Sequence, residues 1–149
     1  MKLPKLTLYN HQRGHKTSVR WIQKIARDAL PDAMKAAKAT DAPLLVLPEI
    51  EVSVVSDDEI ARVHGDFLGD PTPTDVITFH HGEILVSADT AARQGAEHGQ
   101  DIDKELALYV IHGLLHLGGW EDDDPAGQKA MHRVQDQILA ACVERLKST

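Results

Sequence analysis

The chain has 149 residues, of which 42% are hydrophobic and 26% charged, a length and balance typical of one compact domain with a buried core. These proportions exclude a fibre and a disordered chain, and no apolar run approaches the roughly 20 residues of a membrane helix. The single cysteine, Cys142, cannot form an internal disulfide, and the chain opens without an apolar leader. We therefore expect a cytoplasmic protein.

The net charge of −7 is unevenly distributed along the chain. Residues 1–38 carry nine basic and two acidic residues, whereas residues 39–149 carry seven basic and 21 acidic ones. The overall charge argues weakly against a nucleic-acid partner, because phosphate contacts need Lys and Arg. A polyanion would meet the basic N-terminal segment, which includes Arg13 and Lys16. For each of these side chains, a solvated surface position is an equal alternative.

The first half of the chain predicts two strands and two helices. Alternation indicates a strand at 5–9, and helical spacing of apolar residues indicates a helix at 18–30. The β-branched segment 44–55 predicts a second strand, in which Pro48 marks an edge or a bulge. Ser56 and Glu59 form a capping box, which predicts a helix from about Asp57 to Phe67.

The second half predicts a hairpin followed by three helices. A turn-rich loop at 69–75 precedes short strands at 76–79 and 83–87. The helices are predicted at 88–98, from a cap at Asp101 or Asp103 to Gly118, and from Pro125 to about Lys147. Together these elements predict one α+β domain over residues 1–149, with a small sheet and about five helices.

A metal-binding pattern lies at the end of the second of these helices. His112 and His116 are spaced i, i+4, so their side chains project from one helix face and can share an ion. Glycines at 118 and 119 allow a sharp turn, which would bring Asp122 back toward that face. The spacing H-x-x-x-H-x-x-G-x-x-D matches an extended, zincin-like zinc pattern with three protein ligands and one open position.

The chemistry of the pattern favours zinc and disfavours a peptidase. Two histidines at this spacing are common without a metal, but the glycine turn, the acid and the apolar surroundings favour an ion. Imidazole and carboxylate ligands suit Zn²⁺ best, with iron, nickel and copper as alternatives. A zinc peptidase has Glu immediately after the first histidine as its general base, and here that position is Gly113.

Several segments resemble the YbeY family of bacterial endoribonucleases. HGLLHLGGWED (112–122) is similar to the family signature H-G-x-L-H-L-x-G-Y-D-H. PTDVITF (73–79) resembles PTDVLSF, GEILVS (82–87) resembles GDIVIS, and KELALYVIHG (104–113) resembles the helix that enters the motif. The resemblance covers roughly residues 44–140, with several motifs in register.

The resemblance implies a zinc-bound, single-domain hydrolase of RNA with a small mixed four-stranded sheet flanked by helices. Its three metal-binding histidines fall on His112, His116 and Asp122, so a carboxylate replaces the third imidazole. That replacement lowers the charge of the ion with its ligands from +2 to +1, which should make a bound water less acidic. This chain also has Leu68 where the family has an arginine before PTDV. Further differences fall at three positions, which are Trp120, Glu121 and Gln135.

The mechanism expected from these residues is hydrolysis of a phosphodiester beside the ion. The candidate proton acceptors are Asp75, Glu121 and Asp123. Capping of a turn is an equal alternative role for Asp75. For Asp123, a position at the start of a helix is the favoured role. Without the family's arginine, another basic residue must contact the substrate phosphate. The candidates are Arg13, Lys16, Arg62 and Arg93.

The resemblance implies ribosomal RNA precursor as the substrate and ribosome quality control as the setting. It also implies contacts with small-subunit proteins and a ribosome-assembly GTPase, and no membrane. Two other classes of function stay open. One is a metallohydrolase of another substrate, including a peptidase-like one. The other is a ribosome-associated protein that keeps the metal without catalysis.

Overall fold

A computed structural model describes residues 2–148 and contains one mixed four-stranded sheet. The strands are β1 (Lys5–Asn10), β2 (Glu49–Val55), β3 (Val76–Phe79) and β4 (Glu83–Ser87). Their order in the sheet is β1-β2-β4-β3. Strands β1 and β4 both pair in parallel with β2, whereas β3 pairs antiparallel with β4.

Six helices surround this sheet within the described residues. They are α1 (Val19–Lys35), α2 (Pro43–Val46), α3 (Asp57–Leu68), α4 (Ala88–His98), α5 (Ile102–Leu117) and α6 (Pro125–Lys147). The predicted class, α+β with a small mixed sheet, is confirmed. Among the described helices, none is long and apolar enough to cross a membrane.

The main core lies between one face of the sheet and the helices α1 and α5. Helix α5 packs against α1, α4 and α6 as well as against β3 and β4, so most of its surface is buried. The opposite face of the sheet carries a smaller cluster, in which Ile60 and Val63 of α3 pack with Ile77 and Leu85. Helix α5 is therefore the central element of the fold, and it carries both histidines of the motif.

Two predicted boundaries differ from the structure. Residues 43–46 form the short helix α2 instead of the start of a strand, because Pro43 sits at its first turn and favours helix there. Pro48 consequently precedes β2 and lies outside it. Helix α1 continues past the predicted end through Pro31 to Lys35, because Ala33 and Met34 are buried in the main core.

Three helices begin at a polar residue whose side chain caps the first turn. Ser56 accepts a hydrogen bond from the backbone N–H of Glu59 at the start of α3. Asp101, one of the two candidates, caps α5 through the N–H of Lys104. Asp124 caps α6 in the same way. These short polar side chains satisfy N–H groups that have no partner inside the helix.

Candidate metal centre

Two histidines and one aspartate converge at the C-terminal end of α5. The Nε2 atoms of His112 and His116 lie 3.0 Å apart. Oδ2 of Asp122 lies 3.2 Å from Nε2 of His112 and 3.6 Å from Nε2 of His116. The structure thus brings together the three residues that the sequence predicts as metal ligands.

Each imidazole ring is oriented by a hydrogen bond at its other nitrogen. Nδ1 of His112 lies 2.7 Å from Oε1 of Gln135, and Nδ1 of His116 lies 3.0 Å from the carbonyl oxygen of Trp120. Because both partners are acceptors, each Nδ1 carries the ring proton and donates it, and each Nε2 keeps its lone pair. This is the arrangement in which neutral histidines bind metals.

The three donor atoms fit a single cation. Two nitrogen lone pairs and a carboxylate oxygen face one another, and such groups repel unless a positive charge lies between them. Tetrahedral zinc, with bonds of about 2.0–2.2 Å, requires ligand atoms roughly 3.3 Å apart. The observed separations of 3.0, 3.2 and 3.6 Å bracket that value.

The protonation of His116 also favours metal binding. Burial lowers the pKa of His116 below its ordinary value, and the neighbouring His112 lowers it further, whereas Asp122 acts in the opposite direction. A lowered pKa keeps the imidazole neutral as the pH falls. The neutral ring is the form with a lone pair for an ion.

The chain reaches Asp122 through a tight turn at the end of α5. Gly119 has a φ of 94°, a conformation that favours glycine. The N–H of Gly119 donates to His116 O, and the N–H of Trp120 to Leu115 O, both at 3.0 Å, which closes the helix in a Schellman motif. The indole N–H of Trp120 donates to Ala36 O at 2.8 Å and fixes the turn against the end of α1.

Gly113 shows why a peptidase-type glutamate is absent from this helix. A Cβ atom added to Gly113 would lie 3.0 Å from Cγ2 of Ile84 and 3.1 Å from Oγ1 of Thr78. Both contacts are tighter than ordinary packing allows, and Ile84 is fully buried. The residue after the first histidine therefore faces the sheet, where a glutamate side chain has no room.

The three candidate ligands line an open cavity of about 470 Å³. Two of the predicted proton acceptors, Asp75 and Glu121, line the same cavity. Oδ1 of Asp75 accepts a hydrogen bond from the N–H of Val76 at 2.8 Å, so this carboxylate also stabilises its turn. Glu121 is exposed. Both carboxylates are thus placed at the mouth of the metal centre.

Comparison with protein families settles the relationship of this chain to known proteins. A family model described as Endoribonuclease YbeY matches residues 7–143. The chain belongs to the YbeY family.

Individual relatives agree with this assignment. Two proteins named Endoribonuclease YbeY, from Parasynechococcus marenigrum and Cutibacterium acnes, are each 33% identical to this chain. The first match covers 89% of this chain and 77% of the relative, and the second covers 71% and 81%. A solution structure from Thermotoga maritima matches with a TM-score of 0.63 and 25% identity, over 96% of this chain and 92% of that one.

The basic residues considered for phosphate contact lie away from the metal ligands of this YbeY member. Arg62 pairs with Glu59 at 2.6 Å and with Asp66 at 3.2 Å, beside a different cavity on the sheet. Arg93 binds Asp57 at 2.8 Å. Within residues 2–148, neither arginine lines the cavities that contain His112.

The metal cavity is lined by Leu68 and not by the N-terminal candidates for phosphate contact. Arg13 and Lys16 are exposed in the loop between β1 and α1, and they too are outside the lining of the metal cavity. Leu68 does line that cavity, at the position where the YbeY resemblance implies an arginine. An apolar side chain therefore occupies the place expected for a phosphate contact.

Sequence reasoning missed the structural roles of two residues at the centre. The sequence marks Gln135 only as a difference from the YbeY pattern, although in the structure it holds the ring of His112. Its signal was a polar residue one turn after Met131, inside the buried stripe of α6. Thr78 lines the metal cavity from β3, and its buried hydroxyl has no hydrogen-bond partner among the described residues. No local sequence signal marks Thr78.

Proposed function

We propose that this protein is a metal-dependent endoribonuclease that hydrolyses phosphodiester bonds in single-stranded RNA, with Zn²⁺ as its cofactor. The observation that carries the proposal is the convergence of His112, His116 and Asp122 in an open cavity. The membership of a family whose matched relatives are named endoribonucleases supplies the substrate class.

The residues of the site would have three roles, which are metal binding, orientation of the histidine rings and proton acceptance. His112, His116 and Asp122 would hold the cation, while Gln135 and the Trp120 carbonyl keep both rings in the binding tautomer. A bound zinc ion supplies positive charge beside the phosphate and makes a neighbouring water more acidic. Asp75 and Glu121, which line the cavity, would accept the proton released on attack.

The biological substrate we propose is a ribosomal RNA precursor, in ribosome maturation and quality control. Small ribosomal subunit proteins and a ribosome-assembly GTPase would be its partners. Support comes from the family resemblance and from the basic N-terminal segment, where Arg13 and Lys16 are exposed and open to a polyanion. Arg62 and Arg93 would contribute only if RNA displaced their carboxylate partners.

The decisive experiment measures cleavage of a labelled single-stranded RNA by zinc-loaded protein and by the His116→Ala variant. We expect cleavage by the first and its loss in the second, together with loss of bound zinc measured by mass spectrometry. Casein serves as a peptidase control and should stay intact. Equal cleavage by both proteins would point to a contaminating nuclease, and zinc-loaded protein without cleavage would contradict the proposal.

A further inference from the structure

A second cavity adjoins the metal centre, and most of its lining residues have no role in the steps described above. It has a volume of about 540 Å³ and lies between the C-terminal half of α4, helix α5 and helix α6. We call it the side groove. It shares Asp75 and His112 with the metal cavity, so a molecule bound at the metal centre can extend into it.

Three glutamine amides line the side groove, and each has one end engaged. Oε1 of Gln94 accepts the Tyr109 hydroxyl proton at 2.6 Å, and Oε1 of Gln135 accepts from His112 at 2.7 Å. Nε2 of Gln100 donates to the buried Glu105 at 2.7 Å. These bonds leave two amide N–H₂ groups and one amide oxygen available to a ligand.

Apolar and aromatic side chains form another part of the lining. Leu108 of α5 and Leu139 of α6 form apolar walls, and the His132 ring lies at the end near the metal, 6.3 Å from the ring of His112. Apolar and ring-bearing walls with a few polar groups suit a planar ligand that hydrogen-bonds at its edges and packs through its faces.

The charges of the side groove favour an uncharged ligand. Its carboxylates belong to Asp75, Glu105 and Asp136, whereas Lys104 is its only lysine or arginine in the described part of the chain. A phosphate placed there would meet more negative than positive charge. A phosphate is accordingly better placed at the metal centre, with an uncharged group of the same molecule in the side groove.

We propose that the side groove binds one base of the RNA strand whose phosphodiester lies at the metal centre, so that its glutamines select which base is accepted. This inference rests on the proposed function for the identity of the polymer. Amide groups pair with base edges through adjacent donors and acceptors, and such pairs discriminate among bases. The side groove would therefore give the protein a base preference next to the cleaved bond.

The test uses Gln94→Glu, which keeps the acceptor for Tyr109 and replaces the free N–H₂ donor by an acceptor. Its matched control is Gln137→Glu, which adds the same charge to an exposed position of α6. Calorimetry on the zinc-loaded proteins compares the four nucleoside 5′-monophosphates with inorganic phosphate, which reports binding at the metal alone. Side-chain amide signals in NMR spectra report contact with the glutamines.

We expect one nucleotide to bind about tenfold more tightly than the weakest one and than inorganic phosphate. Gln94→Glu should abolish that preference, and Gln137→Glu should retain it. Equal binding of all four nucleotides, binding no tighter than phosphate, or a preference that survives in Gln94→Glu would overturn the inference. RNA cleavage without base preference would leave the proposed function intact, whereas base binding without any RNA cleavage would contradict the function alone.

Discussion

The hydrogen bond from His112 to Gln135 is the contact through which α6 reaches the metal ligands. We expect Gln135→Leu to weaken zinc binding by about 10- to 100-fold, because the ring of His112 loses the acceptor that fixes its tautomer and orientation. Competition with a chromophoric chelator measures this affinity directly.

Two comparisons make that result specific to the hydrogen bond. Gln135→Glu keeps an acceptor for His112 and should bind zinc at least as well as the original protein. Gln137→Leu makes the same change as the test variant at an exposed position of the same helix and should leave the affinity unchanged. An unaltered zinc affinity in Gln135→Leu would show that the contact does not position the ligand.

The glycine at position 113 permits the close approach of α5 to the sheet. We expect Gly113→Val to lower the free energy of unfolding by about 2 kcal/mol, because its methyl groups must displace Ile84 and Thr78. Urea denaturation measures the change. Gly14→Val is the control, since a Cβ at Gly14 meets nothing closer than 3.9 Å, and equal stability losses in the two variants would contradict the packing argument.

The convergence of the three candidate metal ligands could be predicted because their geometry is local in sequence. His112 and His116 share a face through helical periodicity alone, and the glycine turn returns Asp122 to them within six residues. Gln135 and Thr78 come from α6 and β3, whose positions depend on packing across the whole domain. Sequence spacing indicates that Gln135 lies in the buried stripe of α6, but it carries no information on which residue Gln135 or Thr78 contacts.

At the scale of elements, the first turn of α3 is joined to β4 and α4 by a network around Asp57. Its carboxylate accepts hydrogen bonds from Ser87, Thr90 and Arg93 at 2.6–2.8 Å. Burial raises the pKa of Asp57, but these hydrogen bonds outweigh it, and the pKa lies below its ordinary 3.8. The ionised carboxylate therefore stabilises the folded protein above that pH.

We expect Asp57→Asn to be less stable than the original protein at about pH 7, and the difference to shrink as the pH falls below the ordinary pKa. The sign follows from the depressed pKa, because protonation of the folded form then removes the stabilisation. Urea titrations at about pH 7 and about pH 3 measure it. Asp58→Asn, an exposed neighbour in the same turn, is the control, and a pH-independent deficit in Asp57→Asn would contradict the prediction.

Most element boundaries could be predicted from caps and periodicity, and the exceptions have physical causes. Residues 44–46 are β-branched or aliphatic and fit a strand, yet Pro43 and the tertiary position of Leu44 in the core favour a helical turn. Pro31 suggests a helix end, yet the apolar face beyond it is buried and outweighs the lost hydrogen bond.

At the scale of the whole molecule, metal binding should be coupled to folding. Zinc bound to the native state alone adds about 2.7 kcal/mol of stability at a free concentration of 100 times Kd. We therefore expect Zn²⁺ to raise the Tm in scanning calorimetry and a chelator to reverse the increase. His116→Ala should show neither effect, and a zinc-dependent shift that persists in this variant would contradict the assigned site.

The structure shows which basic residues of the N-terminal segment make contacts inside the fold, which composition alone could not show. Some basic residues of the N-terminal segment are used inside the fold: Arg27 donates to Leu6 O at 2.9 Å, and Nζ of Lys38 lies 4.2 Å from the centre of the Trp120 ring. Arg13 and Lys16, by contrast, are exposed in the loop after β1.

The metal centre joins two parts of the chain with different local stability. His112 and His116 belong to the largely buried helix α5, whereas Asp122 lies in a loop whose neighbours Glu121, Asp123 and Asp124 are exposed and which we expect to open more easily. Opening of that loop releases one of the three ligands and leaves the histidines in place. We therefore expect motion of this loop to limit how long an ion stays bound, and metal exchange to be much faster than global unfolding.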